Sequence, residues 1–113
     1  MSETVFSKII DGELPARFVY RDEHCVAIED INPLAPVHVL VIPRRPIAKL
    51  SDAEARDQAL LGHLMLVVGR VAEELGVTEA FRVVVNNGEG AGMTVPHLHL
   101  HILAGRRFSE ADS

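Results

Sequence analysis

Cysteine is almost absent from this chain. The single one, Cys25, has no partner within the sequence, so an internal disulfide is excluded and a reducing compartment is the simplest home. Basic charge is also scarce: 11 Lys and Arg stand against 16 Asp and Glu, a formal net charge of -5. Holding a DNA or RNA polymer along its phosphates requires a basic face, so that class of function is excluded, whereas a small anion in a local pocket is not. No apolar run approaches the roughly 20 residues of a membrane-spanning helix. The opening "MSETVFSKII" lacks the charged-then-apolar order of a secretory signal. These absences predict a cytoplasmic protein that does not insert into a membrane.

What remains is the composition of a soluble domain, 48% apolar and 24% charged over 113 residues, enough for one domain spanning 1–113. A domain this small leaves apolar surface uncovered, which makes a second copy of the chain a natural partner. Along the chain, an apolar lead-in (Val5-Phe6, Ile9-Ile10) and the turn "DGELP" precede two strands, "RFVYRD" and "CVAIED". The polar corner Asp22 to His24 joins them as a hairpin. A third strand, "APVHVLVIP", closes at Pro43. Ser51 and Glu54 have capping-box spacing ahead of a helix over about 52–75, with Gly76 placed to end it. Leu60, Leu61, Leu64, Val67, Val68, Val71 and Leu75 recur at helical spacing, widened by Met65. Leu66 falls on the opposite side between Gly62 and Gly69, either as an exposed leucine or as a subunit contact. "FRVVVNN", the connector "GEGAGMT" and "VPHLHLHIL" supply a fourth strand, a loop and a fifth strand, and the polar tail over 106–113 is expected to be loosely held. The fold class is α+β with a mostly antiparallel sheet.

The fifth strand holds three of the six histidines. Alternation puts His97, His99 and His101 on one face and Leu98, Leu100 and Ile102 on the other, so the leucine face is core and the histidine face needs its own explanation. Three readings compete: ordinary half-exposed strand residues, a zinc site with His38 added, and covalent catalysis at phosphorus. The metal reading ranks last, since no partner carboxylate or thiolate is evident. Neutral imidazole can attack phosphorus at pH 7 while a protonated neighbour serves as acid. The preceding "NNGEGAGMT" favours that third reading, because glycines at 88, 90 and 92 let backbone amides approach an anion and Thr94 adds a hydroxyl. It is neither a P-loop nor a dinucleotide fingerprint.

"HLHLHIL" fits the histidine triad (HIT) signature, His-φ-His-φ-His-φ-φ, at every position from His97 to Leu103. The chain resembles the Hint branch of that family over nearly its whole length, through "VFSKII", "DINPLAPVHVLVIP", "LLGHLM" and "VVVNNG" in order. The resemblance implies a five-stranded, mostly antiparallel sheet with one long and one short helix, a homodimer, and binding of purine nucleoside phosphates. It makes His99 the nucleophile, flanked by His97 and by His101, which would contact the phosphate and assist the leaving group, with His38 in the same cluster. Asn86 and Thr94 match polar phosphate contacts, and amides of Gly92, Met93 and Thr94 would hold charged oxygens without a metal or other cofactor. Asp30 matches the acid on the ribose hydroxyls, and Val5, Phe6, Ile9, Ile28 and Ile31 match the apolar walls around the base.

Two departures stand out. Met93 occupies a position where glutamine is common in the family, and a thioether lacks the amide's donor. The tail lacks the tryptophan-containing ending of animal Hint proteins. The expected activity is hydrolysis of purine nucleoside phosphoramidates through a nucleotidyl-histidine. The alternatives are a dinucleoside polyphosphate hydrolase and a nucleotide- or partner-binding module with weak catalysis.

Overall fold

The computed structural model describes residues 3–112. Thr4 sets off the first helix: its Oγ1 accepts the Ser7 amide at 3.1 Å, and its own amide donates to Ser7 Oγ at 2.9 Å. This reciprocal cap starts α1, Val5–Ile10, so the apolar lead-in is the short helix. The hairpin follows as β1, Phe18–Arg21, and β2, Cys25–Glu29. Its corner is held by Asp22, whose Oδ1 accepts the amides of His24 and Cys25 at 2.7 and 2.8 Å. Then come β3, Val37–Pro43, the long helix α2, Gln58–Glu74, β4, Phe81–Val84, and β5, Leu100–Ala104. All pairings are antiparallel, in the order β1-β2-β3-β5-β4.

Both faces of the central strands are covered, which is why β2 and β3 read as nearly continuous apolar runs. Cys25, Ala27, Val39 and Val41 point toward α2, where they meet Leu64, Val67, Val68 and Val71 together with Leu98, Leu100 and Ile102. The intervening Val26, Ile28, Leu40 and Ile42 point the other way and pack on Phe6 and Ile9 of α1. Leucines and histidines of the triad segment therefore separate as expected. The histidines belong to the α1 side.

Two boundaries near the site differ from the sequence reading, the starts of the long helix and of the fifth strand. The long helix begins at Gln58, preceded by 3-10 turns at Leu50–Asp52 and Ala55–Asp57. Ser51 does not cap it, since its amide donates to Asn87 Oδ1 at 2.8 Å. Asp57 takes over the region: nearly fully buried, it accepts the Glu54 amide at 2.9 Å and pairs with Arg45 at 3.2 Å. The helix ends as foreseen at Gly76, at φ 72°, with the Val77 amide on the Ala72 carbonyl at 2.9 Å. Met65 does not widen the buried stripe; it is 56% exposed.

The fifth strand starts at Leu100, so His97 and His99 precede the regular ladder. Pro96 has no N–H to offer a neighbour. The Leu98 amide donates to the Ile47 carbonyl at 2.6 Å, and the Pro43 carbonyl is taken by the His97 ring at 2.8 Å. A main-chain bond to the Ile47 loop and a side-chain bond from His97 thus replace ladder bonds where the histidines sit.

Candidate active site

Four histidines gather on the α1 side of β3 and β5, and their partners fix which ring nitrogen carries hydrogen. His99 Nδ1 lies 2.7 Å from the His97 carbonyl, which can only accept, so Nδ1 donates and the neutral ring keeps its lone pair on Nε2. The ring packs edge-on to Phe6 at 4.9 Å and to His101 at 4.9 Å. His38 Nδ1 accepts the Leu34 amide at 3.0 Å, so its Nε2 is the donor, facing His101 Nδ1 at 2.9 Å. That contact leaves His101 with its hydrogen on Nε2. His97 is almost fully buried and anchored at both nitrogens, Nε2 donating to the Pro43 carbonyl at 2.8 Å and Nδ1 facing Thr4 Oγ1 at 3.4 Å.

Burial disfavours the charged form of each ring. Desolvation holds His38, His97 and His99 below the ordinary histidine value, opposed by Asp30 at His38, by the Pro43 carbonyl at His97, and by the His97 carbonyl and then Asp30 at His99. At His101, burial and the neighbouring His99 and His38 lower the value to about 4. The free protein therefore carries a neutral cluster at pH 7.

Beside it lies a cleft of about 230 Å³, lined by Val5, Phe6, Ile9, Ile28, Asp30, Ile31 and Thr94, all named from the sequence, together with Leu40, Val95, Glu29 and Asn32. Leu40 was legible: two residues beyond His38 in a strand, it shares the histidine face. Ile31 stands at the rim, 90% exposed. Asp30 joins cleft to cluster. Its Oδ1 accepts the Asn32 amide at 2.8 Å and its Oδ2 lies 3.4 Å from His38 Nε2. One ligand atom each from Asp30, His38 and His101 falls within 4.8 Å of the others, so the carboxylate not evident in the sequence is present.

The glycine loop departs from expectation. Gly88 and Gly92 take positive φ of 90° and 93° around a turn at Glu89–Ala91, conformations that favour glycine. Within it the Gly92 amide donates to Glu89 and the Met93 amide to Gly88, so neither is free for an anion. Thr94 keeps an amide without such a bond among the described residues. Asn86 spends one of its two Nδ2 hydrogens on the Ala91 carbonyl at 2.9 Å and keeps the other. Met93 is buried and lines a separate cavity of about 300 Å³ with Lys49, Asp52 and Glu89. The main-chain anchors at Leu34 and Pro43, and Thr4 beneath His97, had no sequence signal, because they depend on which strands become neighbours.

This geometry has close counterparts. A family model described as the HIT domain matches residues 11–108. An uncharacterized HIT-like protein of Synechocystis sp. is 57% identical over 107 residues, covering 95% of this chain and 94% of that protein. The solved structure of a HIT family hydrolase from Legionella pneumophila is similar with a TM-score of 0.95 and 37% identity, over 98% of this chain and 100% of that one. A histidine triad nucleotide-binding protein from Candida albicans gives a TM-score of 0.81 and 28% identity, over 96% and 85%. With the histidine spacing, the sheet order and the family match in agreement, this chain belongs to the HIT family.

Proposed function

We propose that the protein hydrolyses purine nucleoside phosphoramidates through a nucleotidyl-histidine intermediate on His99. The observation that carries this reading is the 2.7 Å bond from His99 Nδ1 to the His97 carbonyl, which leaves Nε2 as a buried, neutral nucleophile beside an apolar cleft. The base lies between Val5, Phe6, Ile9, Ile28 and Leu40, and Asp30 accepts from the ribose hydroxyls. Nε2 attacks the α-phosphorus in line; its bond to phosphorus forms as the phosphorus–amine bond breaks. A bound phosphate raises the proton affinity of His101; its imidazolium forms as the His38 Nε2 hydrogen turns from His101 to Asp30 Oδ2, and it gives its Nε2 proton to the departing amine. Water then attacks phosphorus, the His99 bond breaks to release the nucleoside monophosphate, and the water's proton returns to the cluster. His97 and His38 act as positioning groups. Thr94, through its hydroxyl and amide, is the donor to the charged oxygens. The partner expected in solution is a second copy of the chain, for which the exposed Met65 and Leu66 on α2 offer a surface. The setting fits the cytoplasm; among the described residues no helix is long and apolar enough to cross a membrane.

The test is release of AMP from an adenosine phosphoramidate, with a diadenosine polyphosphate as competitor and a chelator present. Faster phosphoramidate turnover that tolerates the chelator is the expected result; preference for the dinucleotide, or chelator-sensitive turnover, would overturn it. The loop favours one second reading. With the Gly92 and Met93 amides engaged and no glutamine amide, a nucleotide-binding module predicts AMP binding without turnover of either compound.

A further inference from the structure

Away from the cleft, at the tip of the β1–β2 hairpin, three side chains of different chemistry converge. Asp22, Cys25 and His63 each present one ligand atom, and these atoms all lie within 4.8 Å of one another. We propose that Asp22, Cys25 and His63 form a binding site for a zinc-class divalent metal ion, stapling the hairpin to α2.

A thiolate, an imidazole and a carboxylate are the donors such an ion takes, at about 2.3 Å for sulfur and 2.0–2.2 Å for nitrogen or oxygen. Tetrahedral placement at those lengths sets donors roughly 3.3–3.5 Å apart, so the observed cluster closes by movements of about an ångström. Its parts are already oriented. Asp22 Oδ1 is held by the His24 and Cys25 amides, and Oδ2 faces His63 Nε2 at 2.6 Å. The Tyr20 hydroxyl donates to that Oδ2 at 2.9 Å, the outer hydrogen bond that orients a ligating carboxylate. Cys25 is fully buried in the core beneath α2, fixed by strand pairing to Pro43. His24, half-exposed and with its ring 5.1 Å from that of His63, offers a fourth nitrogen once turned from Glu23.

Nearby cations do not occupy the carboxylate: Arg44 donates to the Asp22 carbonyl and Arg70 to the Tyr20 hydroxyl. On loading, the hydrogen between His63 and Asp22 moves from His63 Nε2 to Nδ1, so that Nε2 and the carboxylate both face the ion, and the Cys25 thiol proton leaves to solvent. The Asp30, His38 and His101 group is the weaker candidate, since the Leu34 amide and His101 already occupy both nitrogens of His38 and no thiolate is present.

The experiment is titration of the full chain with Co²⁺, read by absorption, followed by thermal unfolding with and without Zn²⁺. The expected result is one equivalent of cobalt with a thiolate-to-metal charge-transfer band, displaced by zinc, and a higher Tm with zinc. Cys25→Ser removes the band. His63→Gln weakens binding by more than about tenfold while AMP release persists, and it serves alone if Cys25→Ser does not fold. His101→Asn leaves the band intact. Absence of a thiolate band in the wild type, zinc that does not raise Tm, binding unchanged in His63→Gln, or binding lost in His101→Asn would each overturn the proposal.

Discussion

In the proposed mechanism His99 serves as nucleophile because of what its own backbone does to it. The carbonyl two residues earlier fixes Nδ1 as the donor, so reactivity is confined to Nε2 without a buried carboxylate behind the ring. Burial then keeps the ring neutral at lower pH than an ordinary histidine. A direct consequence is the position of the acid limb of activity. The kcat/KM profile for an adenosine phosphoramidate falls only below the ordinary histidine value of about 6.5, because protonation of His99 is what removes the nucleophile. A limb at or above that value would mean that a different, solvated group controls the rate. At this scale alternation foretold that the histidines share a face, but not what each ring and amide bonds to. His97 has both ring nitrogens engaged, and the amides of Gly92 and Met93 serve their own turn.

Periodicity located the elements wherever side chains alone decide the structure. The hairpin around Asp22, the apolar β3 ending at Pro43, and the end of α2 at Gly76 all follow from local chemistry. The misplaced boundaries share one cause, a contact distant in sequence. Asp57 tightens the approach to α2 because Arg45 lies beside it, and β5 starts late because the His97 ring takes the Pro43 carbonyl. The outer face of α2 carries the prediction at this scale. Leu66 is 67% exposed, and a Cβ added at Gly62 or Gly69 meets nothing within 4 Å, so this face is open to a second backbone. For the proposed homodimer, Leu66→Glu is expected to give a monomer in sedimentation while changing monomer stability by no more than about 0.5 kcal/mol. An unchanged dimer would place the interface elsewhere.

The whole molecule holds four histidines in neutral form, three buried and His101 partly so, and its response to acid follows from that. In the unfolded chain each titrates near 6.5, whereas in the fold His38, His97 and His99 lie lower and His101 lies at about 4. Between those values the unfolded chain binds more protons, so stability is complete above about pH 6.5 and declines as pH falls toward 4. Asp22 adds a later loss. Burial opposes its ionisation, but hydrogen bonds from His63, the His24 and Cys25 amides and Tyr20 outweigh it, so its contribution is present above about pH 4 and disappears in stronger acid. The urea midpoint should therefore drop between pH 7.5 and 5, and His101→Asn should reduce the drop. A midpoint constant over that interval would mean that the histidines are protonated in the fold. Strands flanking one long helix, joined by short connections, made the α+β class readable from the sequence, while the helix covering each face emerged only from the assembled sheet.

The central claim is that His99 becomes covalently joined to the nucleotide. The measurement is intact-protein mass after brief mixing with an adenosine phosphoramidate and quenching in alkali, which spares a phosphorus–nitrogen bond, for wild type beside His99→Ala. The account predicts an adenylyl adduct on the wild type alone, with His99→Ala inactive but still binding AMP. AMP release by the wild type without an adduct, together with turnover retained in His99→Ala, would contradict it.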